Sequence, residues 1–368
     1  MTADVFFWNL RASGKMPFNL RIKKLLKSVH AHHALEDGPL TAIKIHFGEQ
    51  GTTGFISPLW ASPVVDYVRK AGCKPFLTDT NTLYMGQRGE AASHALQAAA
   101  HGFDPNLLGA PVIIADGLKS NNERKIPCPG RHFEHAYIAG DILDADGIVN
   151  LSHFKGHGLT GFGGALKNIG MGCATRQGKM QQHCGTGPKV KEELCKACGA
   201  CVEVCAPGAL SLQEDVIRLD RDKCVGCASC MRVCPTGALQ IDFSIELKNF
   251  MEKLAEYTAA VLLPRKNKVL HVNYVFNVSP GCDCPGFNDA PICPDIGVLA
   301  SFDPVALDQC CVDMVNNAVP AHPSSLPADI RPGEDKFGAA NKDTDGEYLL
   351  QCAQELGLGT RDYKVINV

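Results

Sequence analysis

Short apolar runs alternate with longer amphipathic ones through the first part of the chain. Runs at Val5–Leu10, Ala42–Phe47, Pro75–Thr78, Pro111–Ala115 and Gly147–Leu151 have the length of strands. Between them, Leu20–His33, Pro58–Ala71 and Arg88–His101 place apolar residues at helical spacing. Strands alternating with helices predict parallel βαβ units, and so an α/β domain whose ligands gather at the carboxyl ends of the strands. The alternation stops near residue 190 and resumes after 243, with a predicted helix at Ser244–Leu263, a strand at Lys268–Asn277 and a helix at Pro304–Asn317. Ser324–Thr344, rich in Pro, Gly and Asp, reads as irregular, and Gly346–Leu356 as a last helix. The simplest architecture is a discontinuous α/β ligand-binding domain, residues 1–189 and 244–368, interrupted by a small insert at 190–243. Such an insertion costs little, because loop-closure entropy grows slowly with length.

The insert holds the most specific pattern in the chain, two successive copies of Cys-x2-Cys-x2-Cys-x3-Cys. The copies are Cys195, Cys198, Cys201, Cys205 and Cys224, Cys227, Cys230, Cys234, at a constant offset of 29. Eight of the sixteen positions from Cys195 to Leu210 recur at that offset, which makes this an internal repeat. Three thiolates two residues apart can wrap one corner of a cubane cluster while a fourth arrives from elsewhere. The segment resembles a bacterial two-cluster 4Fe-4S ferredoxin, a small α+β module. That resemblance implies two 4Fe-4S clusters with crossed ligands: Cys195, Cys198, Cys201 and Cys234 for one, Cys224, Cys227, Cys230 and Cys205 for the other. The first repeat departs from the family pattern after Cys205, where Pro207 comes one residue late. Zinc is the competing use of Cys-x2-Cys pairs, but it leaves the third and fourth cysteines of each repeat without a reason for their spacing.

Composition narrows the class. With 368 residues and 45% apolar content the chain can bury a large core. It has no run of eighteen apolar residues and no secretory signal near Met1–Leu10, so neither a membrane span nor export is expected. Eighteen cysteines without such a signal point to a reducing, cytoplasmic setting and, with clusters of this type, an anaerobic one. A net charge of −3 argues against a nucleic-acid binder. The charge is uneven, because Gly147–Lys191 contains no Asp or Glu but carries Lys155, Lys167, Arg176, Lys179, Lys189 and Lys191.

That acid-free stretch includes seven glycines in the seventeen positions from 156 to 172. Gly156-His-Gly158-Leu-Thr-Gly161 has the form of a dinucleotide fingerprint, yet no acidic residue follows before Glu192 to hold a ribose. What remains is a loop whose backbone amides can approach a ligand closely, or a glycine-rich packing turn with surface histidines. Read as a site, Lys155, Gly161, Gly163 and Gly164 bind an anion, and His153, His157 and Lys167 are the catalytic candidates.

The run His-Phe-Lys-Gly-His at 153–157, with Gly161-Phe-Gly-Gly-Ala-Leu-Lys-Asn168, Ala42–Glu49, Phe76–Tyr84, Cys282-Asp-Cys284, Pro294–Gly297 and Ser301–Ala306, resembles the iron-sulfur centre proteins of domain-of-unknown-function family 362. This likeness spans nearly the whole chain and implies a family without implying a reaction. The Gly-Phe-Gly-Gly-x-x-Lys element is also similar to one in nickel-pincer lactate racemases. This second, motif-level likeness implies that Lys167, His153 and His157 face a cofactor or a carboxylate substrate.

Cys282 and Cys284 lie on a Gly/Pro-rich loop and, with His183 as partner, are candidates for a third, soft-metal centre. Isolated cysteines also serve as small core hydrophobes, the reading given to Cys73, Cys128, Cys310, Cys311 and Cys352. Two functions fit these features. In one, an iron-sulfur oxidoreductase passes electrons between its clusters and a small anion or further cofactor at the acid-free loop. In the other, the chain is an electron carrier or maturation partner docking a redox partner protein, for which the insert's six Lys/Arg against eight Asp/Glu favour a basic surface.

Overall fold

The computed structural model describes residues 2–83, 86–185, 187–242 and 246–368. Its centre is an eight-stranded sheet built from β1 (Ala3–Trp8), β2 (Leu40–Lys44), β3 (Lys74–Asp79), β4 (Val112–Ile114), β5 (Gly147–His153), β6 (Val269–Val275), β7 (Gly297–Ser301) and β8 (Tyr363–Asn367). The spatial order is β8-β1-β7-β6-β5-β2-β3-β4. Neighbours run parallel except where β7 meets β1 and β6, so one strand opposes the other seven. The carboxyl ends of β2, β3, β5 and β6 therefore share one edge.

Strand periodicity divides the apolar residues between two cores. Ile148 and Ala42 pack on one face with the helices Leu247–Leu262 and Pro304–Asn317. Val149 and Ile43 pack on the other with Phe18–Ser28 and Pro58–Lys70. Adjacent residues face opposite ways and both are covered, which is why β5 and β6 are buried along their whole length.

Several expected elements shift. The helix expected at Leu20–His33 ends at Ser28, because His30 takes a left-handed conformation at φ 54° and starts a short 3-10 turn. The helix expected from Arg88 begins only at Ala91. Strands β7 and β8 had no alternating signature to mark them, and Ser244 at the start of one expected helix lies outside the described residues.

Asp308, on the helix Pro304–Asn317 of the first core, ties that helix to the glycine-rich segment. Its carboxylate accepts hydrogen bonds from the Ala165 and Leu166 amides at 2.8 and 3.0 Å and from Asn273 Nδ2 at 2.6 Å. A Cβ on Gly164 would lie 2.3 Å from Asp308 Oδ1, so this approach requires glycine. Burial outweighs these donors and pushes the Asp308 carboxyl up to about 6. The native state thus binds more protons than the unfolded chain between about pH 4 and 6. Stability from this group is full below about pH 4 and falls, by on the order of 3 kcal/mol, as pH rises to 6. Chemical denaturation across that range should show a shallower decline for Asp308→Asn; equal slopes for the two proteins would remove the assignment.

Candidate functional site

The insert folds around its cysteines. An antiparallel pair, Lys189–Val190 with Leu239–Gln240, closes its neck, and the hairpin Leu210–Gln213/Val216–Leu219 and the short helices Ala200–Glu203 and Ser229–Val233 complete it. The sequence repeat is visible in the bonding, since Ala209 donates to Cys205 Sγ and Ala238 to Cys234 Sγ, each at 3.2 Å. One small cavity is lined by Cys195, Cys198, Cys201 and Cys234. A second is lined by Cys205, Cys224, Cys227 and Cys230. Each draws three cysteines from one repeat and its fourth from the other. The donor set fits a cubane at each cavity, four thiolates converging on one space. Burial pushes the Cys230 thiol up to about 12, with the neighbouring cysteines adding to the effect. Deprotonating this sulfur in the native fold is thus costly without a cation to receive it.

A cavity with an empty volume of about 820 Å³, opening partly to solvent, lies at the carboxyl edge of the main sheet. Lys44 and Asp79 end β2 and β3, His46 follows β2, and Ser152 and His153 end β5. The hairpin Lys155–His157/Gly161–Gly163 brings Lys155, His157 and Gly163, and the helix Ala165–Gly170 brings Lys167. Lys179 and His183 reach it from the helix Arg176–Cys184, and Cys284 from the loop after β6. Of the residues expected from sequence, His153, Lys155, His157, Gly163, Gly164, Lys167, His183 and Cys284 all line this space. Gly161 does not, and packs instead against the backbone of Gly346.

The loop is acid-free in sequence but not in space. Asp283 accepts from Lys155 Nζ at 2.9 Å and from His153 Nδ1 at 3.0 Å. Burial alone would raise the Asp283 carboxyl, but Lys155 and His153 overcome that and hold it well below the usual carboxylate range. His153 Nε2 donates to the Phe276 carbonyl at 2.9 Å, so both ring nitrogens are used within the protein. Proton movement then falls to His157, whose Nδ1 accepts from the Leu159 and Thr160 amides at 3.2 and 3.3 Å and leaves the N–H on Nε2. Burial, then Lys167, pushes His157 well below the ordinary histidine range.

Six further residues at or beside the cavity were not singled out from sequence. Lys44 pairs with Asp79 at 2.9 Å, and Arg88 with Glu49 at 3.2 Å and with His46 Nε2 at 2.8 Å. Lys179 donates to the Asn81 and Ala174 carbonyls at 2.6 and 3.0 Å, and burial lowers it to about 8. A signal for some of these was present, since Lys44 and His46 interrupt the apolar run Ala42–Phe47 on the predicted carboxyl edge. Among the described residues neither Lys167 nor Lys179 has a carboxylate within ion-pair distance, but Lys179 is taken up by backbone carbonyls, which leaves Lys167 as the cavity cation with a charge to spare.

Of the two loop cysteines, Cys284 lines the cavity and Cys282 does not. The Cys282 thiol hydrogen-bonds the Cys284 sulfur and, against burial and with help from Lys167 and His46, holds Cys284 well below the usual thiol range. Cys284 Sγ lies 3.8 Å from His46 Nε2. Cys282, Cys284 and His183 do not form a group with ligand atoms within 4.8 Å of one another; among the described residues His32, His33 and Glu36, all exposed, do.

The insert touches the cavity wall from behind. Met180 and Leu83 belong to the insert's apolar core with Cys201, Ala228 and Met231. A Cβ on Gly226, beside Cys227, would lie 3.2 Å from Met180 Cγ, and Leu83 itself lines the cavity.

Residues 41–313 match the family described as "Domain of unknown function (DUF362)", a span of more than two thirds of the chain. The chain belongs to this family. The DUF362 match takes in β2 to β7, the cavity and the whole insert. No curated protein matches the chain. Among solved structures, it is similar to the lactate racemase apoprotein from Thermoanaerobacterium thermosaccharolyticum at 18% identity and a TM-score of 0.31, covering 41% of this chain and 34% of that one. The chain thus spans about a third of that protein's length, and a likeness this low carries no argument. No described helix is long and apolar enough to cross a membrane.

Proposed function

We propose that this DUF362 chain is an iron-sulfur oxidoreductase, in which two 4Fe-4S clusters held by the insert serve a small anionic molecule held in the cationic cavity. The observation that carries the reading is the crossed set of four cysteines around each of two cavities, one of which abuts the wall of the third through Met180 and Leu83. When bound, the clusters supply single-electron transfer. The chain's own residues do the rest. Lys167 attracts the anion, while Lys155 and His153 are engaged by Asp283 and keep the loop in place. His157 presents an N–H from Nε2 and can donate or hold a proton at that atom. Excluding water from a wall this buried strengthens each of these interactions. Cys198 is exposed, which suits exchange of electrons with a partner protein at the first cluster site.

The test begins with anaerobically purified protein, in which about eight iron and eight sulfide per chain are expected. Lys167→Glu should keep both clusters and weaken anion binding at least tenfold, measured as the anion-dependent change in cluster spectra or as KM once a substrate is known. Unchanged binding with intact clusters would remove the cavity from the reading. One zinc per four cysteines with no sulfide would remove the clusters.

A further inference from the structure

We propose that Cys282 and Cys284 form a dithiol–disulfide couple that exchanges two electrons with the two cluster sites of the insert. This rests on the reading of the insert as a two-cluster module, and adds a third redox group beside the large cavity.

The geometry of the pair supports it. The two cysteines are separated by a single residue, so the chain itself keeps their Cα atoms within about 7 Å, and Cys284 forms part of the cavity wall. The loop that carries them is pinned on both sides. Asp283, between the cysteines, is held by Lys155 and His153. Asn288 Oδ1 accepts from the Thr53 and Gly54 amides at 2.8 and 2.9 Å. On the other flank a Cβ on Gly156 would lie 2.0 Å from the Pro280 carbonyl oxygen, so the hairpin presses directly on the loop. A pinned loop keeps both sulfurs within bonding reach, where a free one would let them separate.

The chemistry balances. Two thiols become one disulfide by losing two electrons and two protons; an S–S bond forms and two S–H bonds break. The protons pass to solvent through the cavity mouth. Two 4Fe-4S sites accept one electron each, so together they match the couple, and a one-electron carrier outside the chain reoxidises them. The reverse direction breaks the S–S bond with two electrons and two protons. Apolar residues connect the two regions: Leu83 and Phe250 line the cavity, and Leu83 with Met180 belongs to the apolar core of the insert, against which cysteines of both sets pack.

The experiment is an anaerobic reductive titration of the oxidised, iron-loaded full chain with reduced methyl viologen. Wild type should take up about four electrons per chain, two for the clusters and two for the disulfide, and Cys284→Ser about two, with cluster EPR signals unchanged. In parallel, monobromobimane should label the peptide containing Cys282 and Cys284 only after reduction. Cys282→Ser provides a second variant should Cys284→Ser fold poorly. Uptake of only two electrons by wild type, equal uptake by wild type and variant, or equal labelling before and after reduction would overturn the couple, as would a metal bound at the pair. Iron analysis before the titration separates this failure from failure of the cluster reading, which would show as protein without iron or sulfide.

Discussion

Cys205→Ala should lose the second cluster and keep the first, although Cys205 belongs to the first sequence repeat. The structure puts Cys205 in the cavity wall with Cys224, Cys227 and Cys230, while Cys195, Cys198 and Cys201 are completed by Cys234. Iron should fall from about eight to about four per chain, and Cys234→Ala should lose the other half. The two variants are told apart by which cluster signal survives in EPR and by double variants. Adding Cys224→Ala to Cys205→Ala should cost no further iron, whereas adding it to Cys234→Ala should remove nearly all of it. The opposite pattern would mean that each repeat ligates its own cluster. The size of the effect follows from the chemistry of the site, since three thiolates hold a cubane far less well than four and a missing ligand leaves one iron open to solvent.

Asp283→Ala should be the most destabilising single change at the cavity. It removes the one carboxylate that faces both Lys155 and His153, whose side chains are 10% and 1% exposed. Truncating one member of a buried ion pair costs on the order of 3–5 kcal/mol, because the remaining charge stays desolvated and uncompensated. A large drop in the denaturation midpoint is expected, with the loop 279–292 opened to proteolysis. An effect below about 1 kcal/mol would mean that water or rearrangement already compensates the charges. The pH dependence gives an independent readout. Because the Asp283 carboxyl is held below its unfolded value, its contribution is present above about pH 4 and is lost as pH falls below that toward its folded pKa. The variant should lack this acid-side loss.

Much of this was legible in the amino-acid sequence and some was not, for physical reasons that differ by element. Local pattern determined the α/β class, because apolar runs of strand length alternating with helical spacing have few other solutions. The cysteine repeat was equally plain, and its resemblance to two-cluster ferredoxins implied the same two four-cysteine sets that line the two insert cavities. The cationic character of the 155–167 segment and its place after β5 were visible as well. Tertiary structure decided what balances that charge. Asp283 lies more than a hundred residues from His153 and Lys155, and Asp79 and Glu49 meet Lys44 and Arg88 only because the carboxyl ends of β2, β3 and β5 share an edge. Sequence proximity cannot report such pairings, so a segment without acids looked freer to bind an anion than it is, and only Lys167 keeps that role. Strands β7 and β8 escaped for a related reason. One is buried on both faces and opposes its neighbours, the other sits at a sheet edge, and neither carries the alternation that a half-exposed strand must show. The joining of insert to cavity was decided the same way, by Met180 and Leu83, two ordinary apolar residues whose importance comes from what packs on each side of them.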